Sequence, residues 1–241
     1  RQRAAWYWLT KKGEQKIYTR DISQDDDYGY ANGRIVYTAL IPDIRWGQRE
    51  YNVIKILDIA TRQSRQITTK SKYFTPGISD DGKKIAAVEY LPSQQASLHI
   101  LDAATGAVLQ RIPAAGTIDM FSFPRFCSDS VIVVSVRNKE GMMNIAAIDL
   151  VHHKTDFLLP WSYRVNGFPF TKNDTVYFSG TIGYHDDVFA VDMKTKNIFR
   201  LTHESTGAYQ PTVNEDGRLV YSNFTAYGYQ LKEKQLTAQD W

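Results

Sequence analysis

The sequence predicts an all-β chain folded as a β-propeller of about five four-stranded blades. Three observations predict it. A unit of about 45 residues recurs along the chain, each copy breaks into short apolar runs joined by tight turns, and no segment sustains a 3.6-residue apolar period. The clearest copy is residues 73–112, YFTPGISDDGKKIAAVEYLPSQQASLHILDAATGAVLQRI. It reads as four strands, with turns at Asp81-Gly82 and Thr105-Gly106, where glycine supplies a positive φ without steric cost. One such meander cannot bury both of its faces, so it requires neighbours of its own kind.

Two independent markers give the same period. The acid that closes the third strand stands at Asp58, Asp102, Asp149 and Asp192, with spacings of 44, 47 and 43. The proline of the first strand stands at Pro76, Pro124, Pro169 and Pro211, with spacings of 48, 45 and 42. A period of this length matches a four-stranded propeller blade.

Taken in order, residues 6–20 form a hairpin turning at Lys12-Gly13 and match the last two strands of a blade. Whole blades follow at about 28–68, 74–112, 122–159 and 167–201, and residues 209–233 begin another. The first whole blade turns at Asn32-Gly33. The third and fourth lack glycine at this turn, but Asn and Asp at 173 and 174 tolerate the left-handed conformation. Residues 1–241 then make a single domain, in which pairing of the N-terminal strands with the last blade closes the ring at five and removes open sheet edges. The alternative is an open segment of a propeller with six or more blades.

Composition fits this reading. The hydrophobic fraction of 43%, with 15 Tyr and 11 Phe, belongs to a globular, strand-rich chain. A net charge of +3 is too balanced to argue for nucleic acid. No apolar run is long enough to insert in a membrane as a helix. The start, RQRAAWYWLT, has no signal-peptide pattern and no initiator Met, and reads as a mature form or a segment of a longer protein. The single Cys127 excludes an internal disulfide.

The pattern P-x-x-S-x-D-G-x-x-I, followed by a strand ending in Asp and a closing "LT", resembles the TolB-like β-propellers. It is carried by TPGISDDGKKIAAVEY with LDAATG, and by QPTVNEDGRLVYSNF with VDMKTKNIFRLT, and spans roughly residues 28–224. The resemblance implies the fold, and an exported bacterial protein that is periplasmic or associated with the cell surface. Related propellers also accompany peptidase domains, which implies a substrate-gating role as one alternative.

Catalytic machinery is not visible where this fold places it. The first strands, 74–79, 121–126, 167–171 and 209–213, contain no Asp, Glu or His, and their one charge is Arg125. A glycosidase needs two carboxylates about its bond. No G-x-S-x-G, P-loop or G-x-G-x-x-G occurs. His152 and His153 are adjacent at a turn tip and point apart, and Asp25-Asp26-Asp27, Asp80-Asp81 and Glu215-Asp216 fall where turns are required. No catalytic residue, metal ligand or cofactor is therefore assigned.

The loops between strands two and three, and between blades, remain. They carry Arg45, Trp46, Arg49, Lys72, Tyr73, Trp161, Tyr163, Arg164, Tyr184 and His185, a basic and aromatic set of the residue types that dominate binding hot spots. The sequence reading is a non-catalytic scaffold that binds a protein or peptide partner, or docks on a neighbouring catalytic region of its own chain, through these residues. A carbohydrate-binding module is the weaker alternative, and packing of the two Trp side chains between blades is the bland one.

Overall fold

A computed structural model describes residues 4–91, 93 and 95–241. Among them lie 21 β-strands and a single 3₁₀ turn, Ala238–Asp240, so the absence of regular helix is borne out. The chain divides into two compact units, residues 1–113 and 114–241.

In the first unit, β1 (Ala5–Thr10) and β2 (Gly13–Thr19) form a hairpin. The first full blade is β3 (Tyr28–Ala31), β4 (Arg34–Pro42), β5 (Glu50–Asp58) and β6 (Gln63–Gln66), in that order. The second is β7 (Tyr73–Ile78), β8 (Lys84–Tyr90), β9 (Ala96–Asp102) and β10 (Val108–Pro113). The second unit holds a blade of β11 (Met120–Phe126), β12 (Val131–Arg137), β13 (Met143–Asp149) and β14 (Lys154–Phe157). The next is β15 (Asn166–Lys172), β16 (Thr175–Ile182), β17 (His185–Asp192) and β18 (Ile198–Arg200). A fifth blade has three strands, β19 (Ala208–Val213), β20 (Arg218–Thr225) and β21 (Gly228–Gln235). All pairing is antiparallel between sequence neighbours, the blade meander that the 45-residue period predicts.

The two middle strands of each four-stranded blade are buried on both faces, so alternate side chains feed opposite cores. Val36, Ile54 and Ile56 pack with Tyr73, Ile85, Ala87 and Leu101 of the second blade. Tyr37, Ala39 and Leu57, on the other face of the first blade, pack with Trp6, Ile17 and Tyr18 of the β1–β2 hairpin. In the second unit, Val133 and Ile145 meet Val176, Phe178 and Val191, while Tyr177, Val188 and Ala190 meet Val213, Leu219 and Tyr221. Each fully buried Val, Leu or Ile contributes roughly 1.5–3 kcal/mol. Fourth strands such as β10 and β14 are mostly exposed.

The repeated acid caps the turn between strands three and four. The Oδ1 atoms of Asp58, Asp102 and Asp192 accept the backbone N–H of Thr61, Thr105 and Thr195 at 2.8, 2.7 and 2.7 Å, and each threonine hydroxyl donates to the same oxygen. In the third blade His152 takes the threonine's place, 2.8 Å from Asp149 Oδ2 through Nδ1. The histidine doublet is thus turn chemistry. The closing threonines of the repeat have a matching role: Thr68 Oγ1 accepts from Ile54 N–H and Thr202 Oγ1 from Val188 N–H, both at 2.9 Å, tying the end of strand four to strand three.

The proline marker has a cause that its sequence context hides. The residue before each proline has a positive φ: Thr75 (47°), Phe123 (55°), Phe168 (51°) and Gln210 (54°). Each sits at a register shift in its first strand. Proline lacks a ladder donor and is tolerated at an edge strand or a bulge, and here both conditions hold. The bulge turns the N–H out of its own ladder. Thr75 N–H donates to Asp25 Oδ2 at 3.2 Å, and Gln210 N–H to Ser179 Oγ at 3.1 Å.

Within the first unit β1 pairs with β2 as a hairpin, and within the second β19–β21 form one sheet. The stretch after Phe224, where the repeat pattern fades, forms β21, which pairs residue for residue with all eight positions of β20.

Candidate functional site

In the first unit the expected binding loop, residues 41–50, is a built turn over 43–49 between β4 and β5. Its organiser is Asp43. Oδ1 accepts the N–H of Arg45 at 2.8 Å and of Trp46 at 3.2 Å, and Oδ2 accepts the Tyr51 hydroxyl at 2.7 Å. The backbone closes on itself, with Asp43 N–H donating to Arg49 O and Arg49 N–H to Trp46 O, both at 2.8 Å. The guanidinium of Arg49 lies 5.4 Å from the Tyr51 ring centroid. Hydrogen bonding from Arg45 N–H and the Tyr51 hydroxyl holds the Asp43 carboxyl below its ordinary range, and the bond to Asp43 pushes the Tyr51 phenol up. The turn therefore holds one shape and projects two apolar side chains, Ile44 at 103% and Trp46 at 65% exposure, beside the exposed Arg45.

Lys72 and Tyr73 do not join this surface. Lys72 is half-buried, and its carbonyl accepts Tyr90 N–H at 3.1 Å. Tyr73 is buried, with its hydroxyl 2.8 Å from His99 Nδ1. This corrects the loop-face assignment of Tyr73. Residue 73 begins β7, and strand pairing turns its ring inward onto the neighbouring blade.

The buried row behind Tyr73 was not recognised in the sequence. Glu89 and His99 lie beside it on successive strands, with His99 Nε2 3.5 Å from Glu89 Oε2. Burial, and then the Arg111 charge, lowers the His99 pKa to about 4, so the ring is a neutral member of a hydrogen-bonded row at pH 7. No local pattern distinguishes His99 from any strand residue. Only its place on the blade's inward face reveals it.

A second omission is Asp25. The first strands carry no acid, but the segment before β3 brings one to them. Asp25 accepts the bulge N–H of Thr75 and, at 3.1 Å, the Thr38 hydroxyl. Burial raises its pKa to about 6 against these hydrogen bonds, with Asp27 adding to the rise and Arg20 opposing it. Reading Asp25-Asp26-Asp27 as plain turn chemistry missed this carboxyl. Its signal lay in tertiary position.

In the second unit, Tyr163 is 76% and Tyr184 105% exposed, and Arg164 is exposed without an ion pair among the described residues. Trp161 is half-buried, its ring 5.1 Å from Phe157. His185 is part of a charged cluster rather than free surface. Its Nε2 lies 3.7 Å from Asp187 Oδ2, and that fully buried carboxylate also binds Arg200 at 2.5 Å, the Thr202 hydroxyl at 2.7 Å and Glu204 N–H at 2.9 Å. An ion pair this well hydrogen-bonded is a satisfied structural network. Among the described residues no group of three or more His, Cys, Asp or Glu is placed to hold a metal ion.

Blade order, bulged first strands and Asp-capped turns define a β-propeller. Solved structures with this fold include TolB from Acinetobacter baumannii, 18% identical over 84% of this chain with a TM-score of 0.66. The Agrobacterium tumefaciens protein assigned as TolB is 10% identical over 95% of this chain and 82% of its own, with a TM-score of 0.75. A puromycin-hydrolysing peptidase of Mycobacterium tuberculosis is 12% identical over 93% of this chain and 39% of its own, with a TM-score of 0.66. The chain spans half the length of the Acinetobacter protein. At these identities the likeness is one of fold. No family model and no curated protein sequence matches the chain. No helix among the described residues is long and apolar enough to cross a membrane.

Proposed function

We propose that this chain is a non-catalytic binding module that engages a protein or peptide through its loops. The observation that carries the reading is the turn at residues 43–49. An exposed Trp and Ile are costly to leave in water, and a turn fixed by Asp43 loses little entropy when it binds. Arg45 and Arg49 would pair with acidic groups of the partner. Tyr163, Arg164 and Tyr184 offer the same chemistry on the second unit. The likeness to TolB supports work outside the cytoplasm, in the periplasm or at the cell surface of a bacterium.

A displayed random-peptide library tests the reading. The intact chain selects short sequences that combine acidic and apolar residues, and Trp46→Ala with Arg45→Glu and Arg49→Glu abolishes their binding without changing Tm. Equal binding by the triple variant, or no enrichment by the unmodified chain, sinks it. A second reading is favoured by the peptidase likeness: a propeller that gates a hydrolase whose active site lies outside these residues. A hydrolase domain encoded next to this segment supports that reading, and its absence from the intact gene rejects it.

A further inference from the structure

The second unit contains a pocket of about 80 Å³ where the segment entering β15 meets the ends of β15 and β16. Its lining includes a glycine where the other blades carry a side chain. The position facing the first residue of the inner strand carries Glu89, Arg137 or Asn223 in the other blades with a bulged first strand, but faces Asn166 with Gly180. A Cβ at 180 would lie 3.0 Å from Phe189 Cδ2 and 3.2 Å from Phe178 Cε2, so the absence of a side chain at 180 lets the two rings come up against the strand. The two phenyl rings, stacked at 5.7 Å, form an apolar wall.

Four polar side chains, Ser162, Arg164, Asn166 and Thr181, line the opening, and three of them differ in what they are bound to. Thr181 is spent on Asp186. Arg164 has no ion pair among the described residues. Asn166 is 6% exposed and lines the pocket; it makes no side-chain hydrogen bond among the described residues, and its polar atoms stay open to solvent. Buried amides are normally satisfied. Elsewhere in this unit they are: Asn144 donates to Leu159 O at 2.5 Å and Asn223 to Gly207 O at 2.9 Å. At this opening the Asn166 amide therefore has no protein partner, and the exposed Arg164 lines the same pocket.

We propose that this pocket binds a carboxylate, with Arg164 as its charge partner, the Asn166 amide as a second donor and the Phe178–Phe189 wall excluding water. A planar guanidinium matches a carboxylate, and water-poor walls strengthen the pairing. One cation, with Asp186 close by, suits a single negative charge and disfavours a phosphate dianion. The volume accommodates one short side chain or chain terminus and is far below the several hundred Å³ of a typical ligand pocket. The proposal deepens the peptide-binding reading at Arg164 alone, since Trp46 has no part in it.

The test uses the ¹⁵N-labelled intact chain, titrated with N-acetyl-leucine, N-acetyl-aspartate α-amide and neutral N-acetyl-leucinamide. The Asn166 side-chain amide signals shift saturably with at least one acid and not with the neutral amide. N-acetyl-leucine acting alone identifies a C-terminal carboxylate, and the aspartate amide acting alone an acidic side chain. Arg164→Ala, an exposed position whose spectrum otherwise superimposes, weakens binding at least about tenfold, and Arg164→Lys restores part of it. Failure of both acids to saturate, or equal binding by Arg164→Ala, overturns the subsite. That failure leaves the peptide selection at Trp46 untouched, so the two readings fail separately.

Discussion

His99 and Asp25 respond to burial in opposite directions, because burial penalises the charged form of each and those forms lie on opposite sides of their titrations. His99 falls from 6.5 to about 4 beside Tyr73, Glu89 and Arg111. The unfolded chain therefore binds its proton first on acidification, and the stability contributed by the neutral ring is lost as pH falls from 6.5 towards 4. Asp25 rises from 3.8 to about 6, so the folded chain holds its proton longer, and stability is lost as pH rises from 3.8 through 6. The two terms oppose each other across pH 4–6. In urea unfolding, His99→Gln tilts the stability profile downward with rising pH relative to the unmodified chain, and Asp25→Asn tilts it upward. Parallel profiles for all three proteins would show that neither group is shifted. A third residue-scale expectation concerns Asp43. Asp43→Ala removes the acceptor for two turn amides, so hydrogen exchange at Arg45 and Trp46 accelerates while exchange in β4 and β5 stays unchanged. Acceleration in the strands as well would mean that Asp43 supports the blade rather than the turn.

Among the strands and turns, two glycines separate backbone conformation from close packing. Gly82 has φ +71°, and a Cβ there would meet nothing nearer than Asn32 at 3.5 Å. Gly106 has φ +76°, and a Cβ there would lie 2.3 Å from Ile67 O. Gly82→Ala carries only the left-handed penalty, roughly 1–2 kcal/mol. Gly106→Ala adds a clash with backbone that cannot move aside, so its loss of unfolding free energy is at least twice as large. Equal losses would place both costs in conformation alone. These turns were legible in the sequence because Asp-Gly and Thr-Gly state their geometry in residue type. The bulges were not. Thr75, Phe123, Phe168 and Gln210 share no property that announces a positive φ, and only the proline that follows each of them recurs. The Asp58, Asp102, Asp149 and Asp192 ruler was visible as spacing, while its role as a turn cap emerged from distances.

At the scale of the whole chain, the sequence was informative about what repeats and nearly silent about what does not. Blade number, strand order and lack of helix follow from a period that every blade must satisfy to bury its two faces. The ends are less legible because they are not full copies: Trp6, Ile17 and Tyr18 pack against the first blade, and β21 forms from a stretch without the repeat's marks. The loop residues divided for the same reason. Trp46, Tyr163 and Tyr184 stand in turns and remain exposed, whereas Tyr73 and His185 belong to strands and are drawn into the blades. The central claim, that binding belongs to the loops rather than to the generic turns at the opposite strand ends, is tested most directly by hydrogen–deuterium exchange on the intact chain with a library-selected peptide at saturation. The account predicts slowed exchange at 43–49, at 161–166 and 180–185, or at both regions. Protection confined to the turns at 80–83, 103–107 and 193–197 would contradict it.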